Sequence, residues 1–479
     1  MKKTKIVCTM GPAVDSDEKL KEMIDFGMNV ARINFSHGTY EEHERRFTQV
    51  KRVAEACGKA VGTLLDTKGP EIRVKQFKEG KVSVVHGNTF TFTTRDVEGT
   101  DQMVSVTYQN FPSDVVEGMD ILVDDGLIAM KVVSKNETDV VCEILNDGVI
   151  SNNKGVNIPG AHLTMPFISE KDRNDILFGI KMGFNFIAAS FTRSAEDIKA
   201  VKEILRENGG EQIEVIAKIE NAEGVENIDE IIAIADGVMI ARGDMGVEIP
   251  NEEVPILQKM IIKKGMEAGK KVITATQMLD SMMKNPRPTR AETTDVANAI
   301  YDGSGAVMLS GETAAGAYPV QAVETMSRIV CRTEHEIDYK QLFESRHHYA
   351  ETGITMAIAR ATCTTAHDLN AKAIIAVTKA GVSATSIGKF HPAVPIIACT
   401  TEQKVYEKMS LSWGIYPLLI EEEHETFTLL EHAVDAAKEA GYIADGDVIV
   451  ITAGIPLGIS GNTNLMKAHI VGEDMRQEL

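Results

Sequence analysis

Short apolar, β-branched runs recur along the chain, each followed by a polar cluster and then by a stretch with helical apolar spacing. That order marks βα units laid around a parallel sheet. Eight such runs are read, at 5–8, 29–33, 61–65, 184–189, 214–217, 237–240, 271–274 and 305–309. Eight consecutive units predict an α/β chain closed as a (β/α)8 TIM barrel.

Between the third and fourth units the pattern changes. Strand-like runs at 89–94, 103–107, 120–123, 128–133 and 140–145 are separated by turn signals at Asp124-Asp125-Gly126 and Asn146-Asp147-Gly148. An insertion that leaves the carboxyl end of a barrel strand emerges on the face where active-site loops gather. An inserted β-barrel lid domain is therefore expected there. Beyond 345, a helix at 352–367 and strands at 373–377, 395–399, 415–420 and 448–451 predict a C-terminal doubly wound α/β domain. The expected division is 1–70 and 167–344 for the barrel, 71–166 for the lid and 345–479 for the third domain.

Composition narrows the partners. The formal charge of −20 argues against nucleic acid or an anionic membrane, both of which need a basic face. No apolar run approaches the roughly 18 residues of a transmembrane helix. The first residues lack the apolar core of a secretory signal, and six scattered cysteines without a CxxC pair suit reduced thiols. A cytoplasmic location is expected. The twelve histidines show no HxxxH or HExxH spacing, so zinc is not expected, and His347-His348 reads as a solvated loop pair.

Candidate chemistry gathers where the barrel strands end. Barrel interiors are apolar, so polar residues at strand carboxyl ends are costly unless they share a site. Arg32 and Asn34 end the second run, Asp66 and Thr67 the third, Lys218 and Glu220 the fifth, Arg242 and Asp244 the sixth, Thr276 the seventh and Ser310 the eighth. Residues two apart on a strand face one side, so Lys218 and Glu220 point together into the barrel mouth. A buried salt bridge is the plainer reading of that pair. Two carboxylates, Glu220 and Asp244, suit Mg²⁺ or Mn²⁺, which take few protein ligands and complete their shells with water and substrate oxygens. Positive groups at Arg32, Arg73 and Lys218 provide what a transferring phosphoryl group needs. Neither a GxxxxGK[ST] loop nor the HRD and DFG set of protein kinases occurs.

Five runs, ARINFSHG at 31–38, LDTKGPEIR at 65–73, IAKIEN at 216–221, ARGDMGVE at 241–248 and TATQML at 274–279, together resemble the pyruvate kinase family. The resemblance spans essentially the whole chain and is of the bacterial type without an extra C-terminal module. It implies phosphoryl transfer from phosphoenolpyruvate to ADP, giving pyruvate and ATP in glycolysis. It also implies that Glu220 and Asp244 hold Mg²⁺ or Mn²⁺, that Lys218 stabilises the phosphoryl group in flight and the enolate, and that Arg32 contacts phosphate. The backbone of Ala241, Arg242 and Gly243 and the hydroxyl of Thr276 would hold the substrate carboxylate, with Thr276 and Ser310 near the proton path. K⁺ would lie among Asn34, Ser36, Asp66 and Thr67, with Glu71 the residue type that goes with K⁺ dependence. Nucleotide phosphates would meet Arg73, Lys154 and Asn34. In the third domain, Thr378, Lys379, Ala380, Gly381, Val382 and Ser383 match the loop that cups a sugar-phosphate or AMP effector, though Lys379, Ala380 and His391 depart from the usual residues. A homotetramer is the family expectation. A barrel lyase or aldolase using an enolate, and a non-catalytic sugar-phosphate sensor, are the rival readings.

Overall fold

The computed structural model describes residues 1–345, 353–457 and 461–476. The loop pair His347-His348, the start of the helix expected from 352, and residues 458–460 and 477–479 lie outside the described residues. Eight parallel strands, β1 (Lys5–Thr9), β2 (Val30–Asn34), β3 (Gly62–Asp66), β4 (Phe186–Ala189), β5 (Glu214–Ile219), β6 (Gly237–Ala241), β7 (Lys271–Ala275) and β8 (Ala306–Leu309), close into a barrel when β8 pairs back onto β1. Between them run helices whose ends follow from local sequence. Thr39, Ser169 and Thr289 form capping boxes ahead of Tyr40–Ala56, Glu170–Met182 and Arg290–Asp302. Gly183 and Gly303 end two of these in the left-handed conformation.

The two-residue period of a strand decides what fills the barrel. Val7, Val30, Leu64, Phe186, Ala188, Ile216, Met239, Ile273, Ala306 and Met308 form one buried interior cluster, while their strand neighbours Ile6, Cys8, Ala31, Leu65 and Ile187 pack outward under the helices. Continuing the inward alternation toward the carboxyl ends brings up Arg32 after Val30, Asp66 after Leu64, Ser190 after Ala188, and Lys218 and then Glu220 after Ile216. The polar cluster thus sits as the next layer above the apolar plug. At the opposite end, Leu411 from the third domain joins the interior cluster and seals the floor.

The insertion after β3 is β-rich. Its seven-stranded sheet runs from Ile72–Arg73 at one edge to Met103–Ser105 at the other, beside a two-stranded sheet of Lys81–Val84 and Gly148–Ser151. The two edges meet: Val74 bridges Val106, Lys75 donates its N–H to the Ser105 carbonyl at 2.8 Å, and Thr107 to the Arg73 carbonyl at 2.9 Å. The sheet therefore curls shut around its own core of Phe90, Phe92, Phe111, Ile121 and Val123. Asp124 and Asp125 take positive φ at the expected turn.

In the third domain, β9 (Ala373–Val377), β10 (Ile396–Thr400), β11 (Ile415–Leu419), β12 (Val448–Ala453) and β13 (Leu465–Ile470) form a sheet in the order β11-β10-β9-β12-β13. Only β13 is antiparallel, paired with β12. Among the described residues no helix is long and apolar enough to cross a membrane.

The amino-terminal strand stitches the barrel to this domain. Lys5, only 2% exposed, donates Nζ to the Ile415 carbonyl at 2.5 Å and lies 4.8 Å from the Tyr416 ring centre. Burial, reinforced by Lys2, lowers its pKa to about 7. Between that value and the ordinary lysine range the unfolded chain binds the proton and the folded chain does not, so this group's contribution to stability rises with pH there. Lys5→Met is expected to raise the thermal midpoint relative to wild type near pH 6, with the gain shrinking toward pH about 10. A pH-independent difference in unfolding scans between the two proteins would contradict this.

Candidate active site

At the barrel mouth four charged side chains interlock. Arg32 donates Nε to Asp66 Oδ2 at 2.5 Å and Nη1 to Thr9 Oγ1 at 2.9 Å. The Lys218 ammonium lies 3.0 Å from Asp66 Oδ1 and 3.0 Å from Glu220 Oε1, and donates to Ser190 Oγ at 2.7 Å. Ser190 in turn donates to Asp66 Oδ1 at 3.0 Å or to the Thr67 carbonyl at 2.6 Å. Asp66, Lys218 and Glu220 are all buried, Glu220 completely. The buried salt bridge and the shared polar site are thus one arrangement.

Charge explains the ionisation of each member. Burial alone would disfavour the Lys218 cation, but Asp66 and then Glu220 outweigh it and hold the ammonium above the usual lysine range. Burial likewise opposes the Asp66 anion, and Arg32 and Lys218 overcome it, keeping the carboxyl below its ordinary value. Glu220 differs. Burial pushes its carboxyl up, Lys218 only partly offsets this, and the nearby Asp244 pushes further in the same direction. Its Oε2 accepts the Phe191 N–H at 2.6 Å, while Oε1 is buried and receives no directed hydrogen bond.

A fully buried carboxylate whose burial one ammonium only partly offsets, with a second carboxylate nearby, is what a divalent cation stabilises further, so Glu220 and Asp244 fit Mg²⁺ or Mn²⁺. Among the described residues no three His, Cys, Asp or Glu side chains converge into a preformed cage. A cation here would complete its shell from water and substrate oxygens.

The loop after β7 is strained. Thr276 and Gln277 have φ of 69° and 54°, a left-handed conformation costly for a β-branched residue. Its surroundings hold it there: Arg242 donates Nη2 to the Thr276 carbonyl at 2.7 Å and Nη1 to Asp295 at 2.7 Å, and the Gly243 N–H reaches Thr276 Oγ1 at 2.7 Å. The Arg242 side chain is thus committed to the β7 loop and Asp295, and of the 241–243 backbone it is the Gly243 N–H that meets Thr276. The Ser310 hydroxyl is buried without a hydrogen-bond partner among the described residues. Glu312, 2% exposed, accepts N–H groups from Leu279 at 3.0 Å and Ser310 at 2.8 Å, tying the two loops together.

Asn34 and Asp66 lie side by side in the β2–β3 register, and Asn34 Oδ1 accepts the Ser36 N–H at 3.0 Å. Thr67 bonds across to β4 through the Ala188 carbonyl at 3.3 Å and the Ser190 N–H at 3.1 Å. On the insertion, Arg73 is held by Glu71 at 2.8 Å and by the Asn153 carbonyl at 2.6 Å, and Lys154 by Asp124 at 2.7 Å. Asn157 of the insertion donates to Glu248 of the barrel at 2.7 Å. In the third domain, Thr378, Lys379, Ala380 and Ser383 line a cavity of ≈ 80 Å³ at the strand ends, and the Gly381 N–H bonds to Thr378 Oγ1 at 3.0 Å.

Thr9, Ser190 and Glu312 also belong to the site, although they are not among the strand-end residues named from the sequence. The first two follow the rule that singled out the others, a polar residue at or just past a barrel strand's carboxyl end, applied to the first and fourth units. Glu312 lies three residues past the end of β8, the same offset as Asp244 past β6, so the rule reaches it as well, while its role in joining two loops shows only in the fold.

A closed (β/α)8 barrel bearing a β-rich insertion, with a charged cluster at its strand ends, defines a barrel enzyme. Residues 1–323 match the family model "Pyruvate kinase, barrel domain" and 356–469 match "Pyruvate kinase, alpha/beta domain". The chain is 50% identical over 475 residues to pyruvate kinase of Sporosarcina psychrophila, covering 99% of this chain and 81% of that protein. It is also 50% identical over 474 residues to that of Geobacillus stearothermophilus, covering 98% and 81%. A crystal structure of a pyruvate kinase from Cryptosporidium parvum superposes with a TM-score of 0.93 at 40% identity, covering 98% of this chain and 96% of the other. The chain belongs to the pyruvate kinase family.

Proposed function

We propose that this chain transfers the phosphoryl group of phosphoenolpyruvate to ADP, giving pyruvate and ATP, and that the Arg32–Asp66–Lys218–Glu220 cluster is where it does so. Family membership supports the reaction. The observation carrying the site is the fully buried Glu220, whose carboxyl burial and Asp244 push up and whose Oε1 has no directed hydrogen bond.

The roles follow from chemistry. Lys218 supplies a fixed positive charge to the phosphoryl oxygens as the P–O bond to the enol oxygen breaks and the ADP β-phosphate oxygen takes the phosphorus. Once the bond has broken, the same ammonium balances the enolate. Arg32, oriented by Asp66, adds a guanidinium to the phosphate. The Ala241–Gly243 backbone and the Thr276 hydroxyl orient the substrate carboxylate, and Thr276 and Ser310 lie by the path along which the enolate carbon gains its proton. Mg²⁺ or Mn²⁺ held by Glu220 and Asp244 would supply charge neutralisation at substrate oxygens. Asn34, Ser36, Asp66 and Thr67 provide the oxygen donors for K⁺. Arg73 and Lys154, with Asn34, would meet nucleotide phosphates as the insertion closes and excludes water. We assign 1–70 and 167–344 to the catalytic barrel, 71–166 to the lid and 345–479 to an effector-binding domain, with the 378–383 loop contacting a sugar phosphate or AMP. A cytoplasmic homotetramer completes the reading.

Pyruvate release from phosphoenolpyruvate, ADP and Mg²⁺ tests it. Turnover is expected to rise when K⁺ replaces a large organic cation. Equal rates in the two salts would overturn the K⁺ assignment.

A further inference from the structure

A short helix directly after β6, Arg242–Glu248, has one end in the candidate site and the other against the insertion. Its first turn carries the Gly243 N–H that bonds to Thr276 Oγ1 at 2.7 Å and the Asp244 carboxylate that acts on Glu220. Met245, fully buried, anchors the middle of the helix in the barrel core. The last turn meets the insertion at two places. Glu248 Oε1 accepts a hydrogen bond from Asn157 Nδ2 at 2.7 Å. The turn at Gly126 passes over the neighbouring Val247, so that a Cβ built on the glycine would lie 3.8 Å from Val247 Cγ1.

Asn157 belongs to the strand Gly155–Asn157, which lies in the sheet between Ile72–Arg73 and Asp120–Val123. Gly155 pairs with Arg73, the Val74 N–H donates to the Lys154 carbonyl at 2.9 Å, and the Asp124 N–H donates to the Gly155 carbonyl at 3.1 Å. Asp124 also holds the Lys154 ammonium at 2.7 Å. Arg73, Lys154 and the turn at 124–126 therefore move with Asn157 as one piece of sheet. The peptide returning to the barrel is pinned separately by Arg193, which donates Nη1 to the Leu163 carbonyl at 2.9 Å and Nη2 to the Met165 carbonyl at 3.1 Å. Two connecting peptides alone leave a domain free to swing about them. The bond between Asn157 and Glu248 adds a further point, and that point fixes the angle.

We propose that Glu248 is a positioning residue: through Asn157 it holds the sheet carrying Arg73 and Lys154 at the barrel mouth, in the arrangement that binds the nucleotide. The inference rests on the reading of Arg73 and Lys154 as nucleotide-phosphate contacts. Glu248 itself touches no reacting atom and acts only through the sheet it holds.

Glu248→Met and Asn157→Leu, made in the full-length protein, are each expected to weaken ADP binding roughly tenfold, because losing one charge-assisted hydrogen bond lowers the fraction of molecules in the competent arrangement. The change is read both as KM for ADP and by calorimetry with Mg²⁺. KM for phosphoenolpyruvate and the affinity for Mn²⁺ are expected to stay at their wild-type values, whereas a merely structural role would weaken all three ligands together. The double variant should lose no more than either single one, since only one bond is removed. Glu248→Gln keeps an oxygen that accepts from Asn157 and is expected to recover most of the ADP affinity. Amide hydrogen exchange reads the contact without turnover: the connecting peptide 158–165 is expected to exchange faster in Glu248→Met than in wild type, with β1–β8 unchanged. ADP affinity unaltered in both single variants, or exchange equal to wild type, would overturn the proposal. Wild-type protein that binds ADP but yields no ATP would instead overturn the proposed reaction, and the calorimetry and exchange would still decide the role of Glu248.

Discussion

Lys218→Met is expected to lower turnover by roughly 10³-fold, at the upper end of what removing one preorganised electrostatic stabiliser costs. Lys218 contacts both buried carboxylates, and in the proposed mechanism it follows charge from the phosphoryl oxygens to the enolate. Stability should fall as well. Removing one partner from a buried ion pair costs about 3–5 kcal/mol, because the charge left behind has lost its solvation. The lower part of that range is expected, since Asp66 keeps Arg32 at 2.5 Å and Glu220 can take up a proton. Steady-state kinetics and thermal unfolding on the same preparation separate the two effects. A folded variant with wild-type turnover would remove Lys218 from the chemistry.

Glu220→Gln is expected to weaken divalent-cation binding by at least roughly a hundredfold, the loss of one of two anionic ligands exceeding the 10–100-fold typical of outer-shell changes. Lys218 keeps Asp66 at 3.0 Å, so folding should tolerate the change. Titrating Mn²⁺ by electron paramagnetic resonance reads the affinity without requiring turnover. Unchanged affinity would leave Glu220 as an ion-pair partner alone, the plainer of the two readings its sequence position permits.

Much of this arrangement is legible in the sequence because one physical rule generates both the fold and the mouth. Alternation along β2, β3 and β5 places Val30, Leu64 and Ile216 in the apolar plug and Arg32, Asp66, Lys218 and Glu220 above it. What escapes the sequence has identifiable causes. Ile72–Arg73 and Gly155–Asn157 are two and three residues long, and Lys81–Val84 and Gly148–Ser151 each bury a single residue, so none carries a legible apolar alternation. The edge strand Leu465–Ile470 has a mixed pattern because much of it is only half-buried. Glu312 and the Arg242–Thr276 clasp depend on loops far apart in sequence meeting in space.

The most direct test of the central claim measures both products at once, in wild-type protein supplied with phosphoenolpyruvate, ADP and Mg²⁺. Pyruvate and ATP are expected to appear in equal amounts and to stop when the cation is chelated. Pyruvate accompanied by free phosphate instead of ATP, or no pyruvate at all, would contradict phosphoryl transfer to ADP as the work of this site.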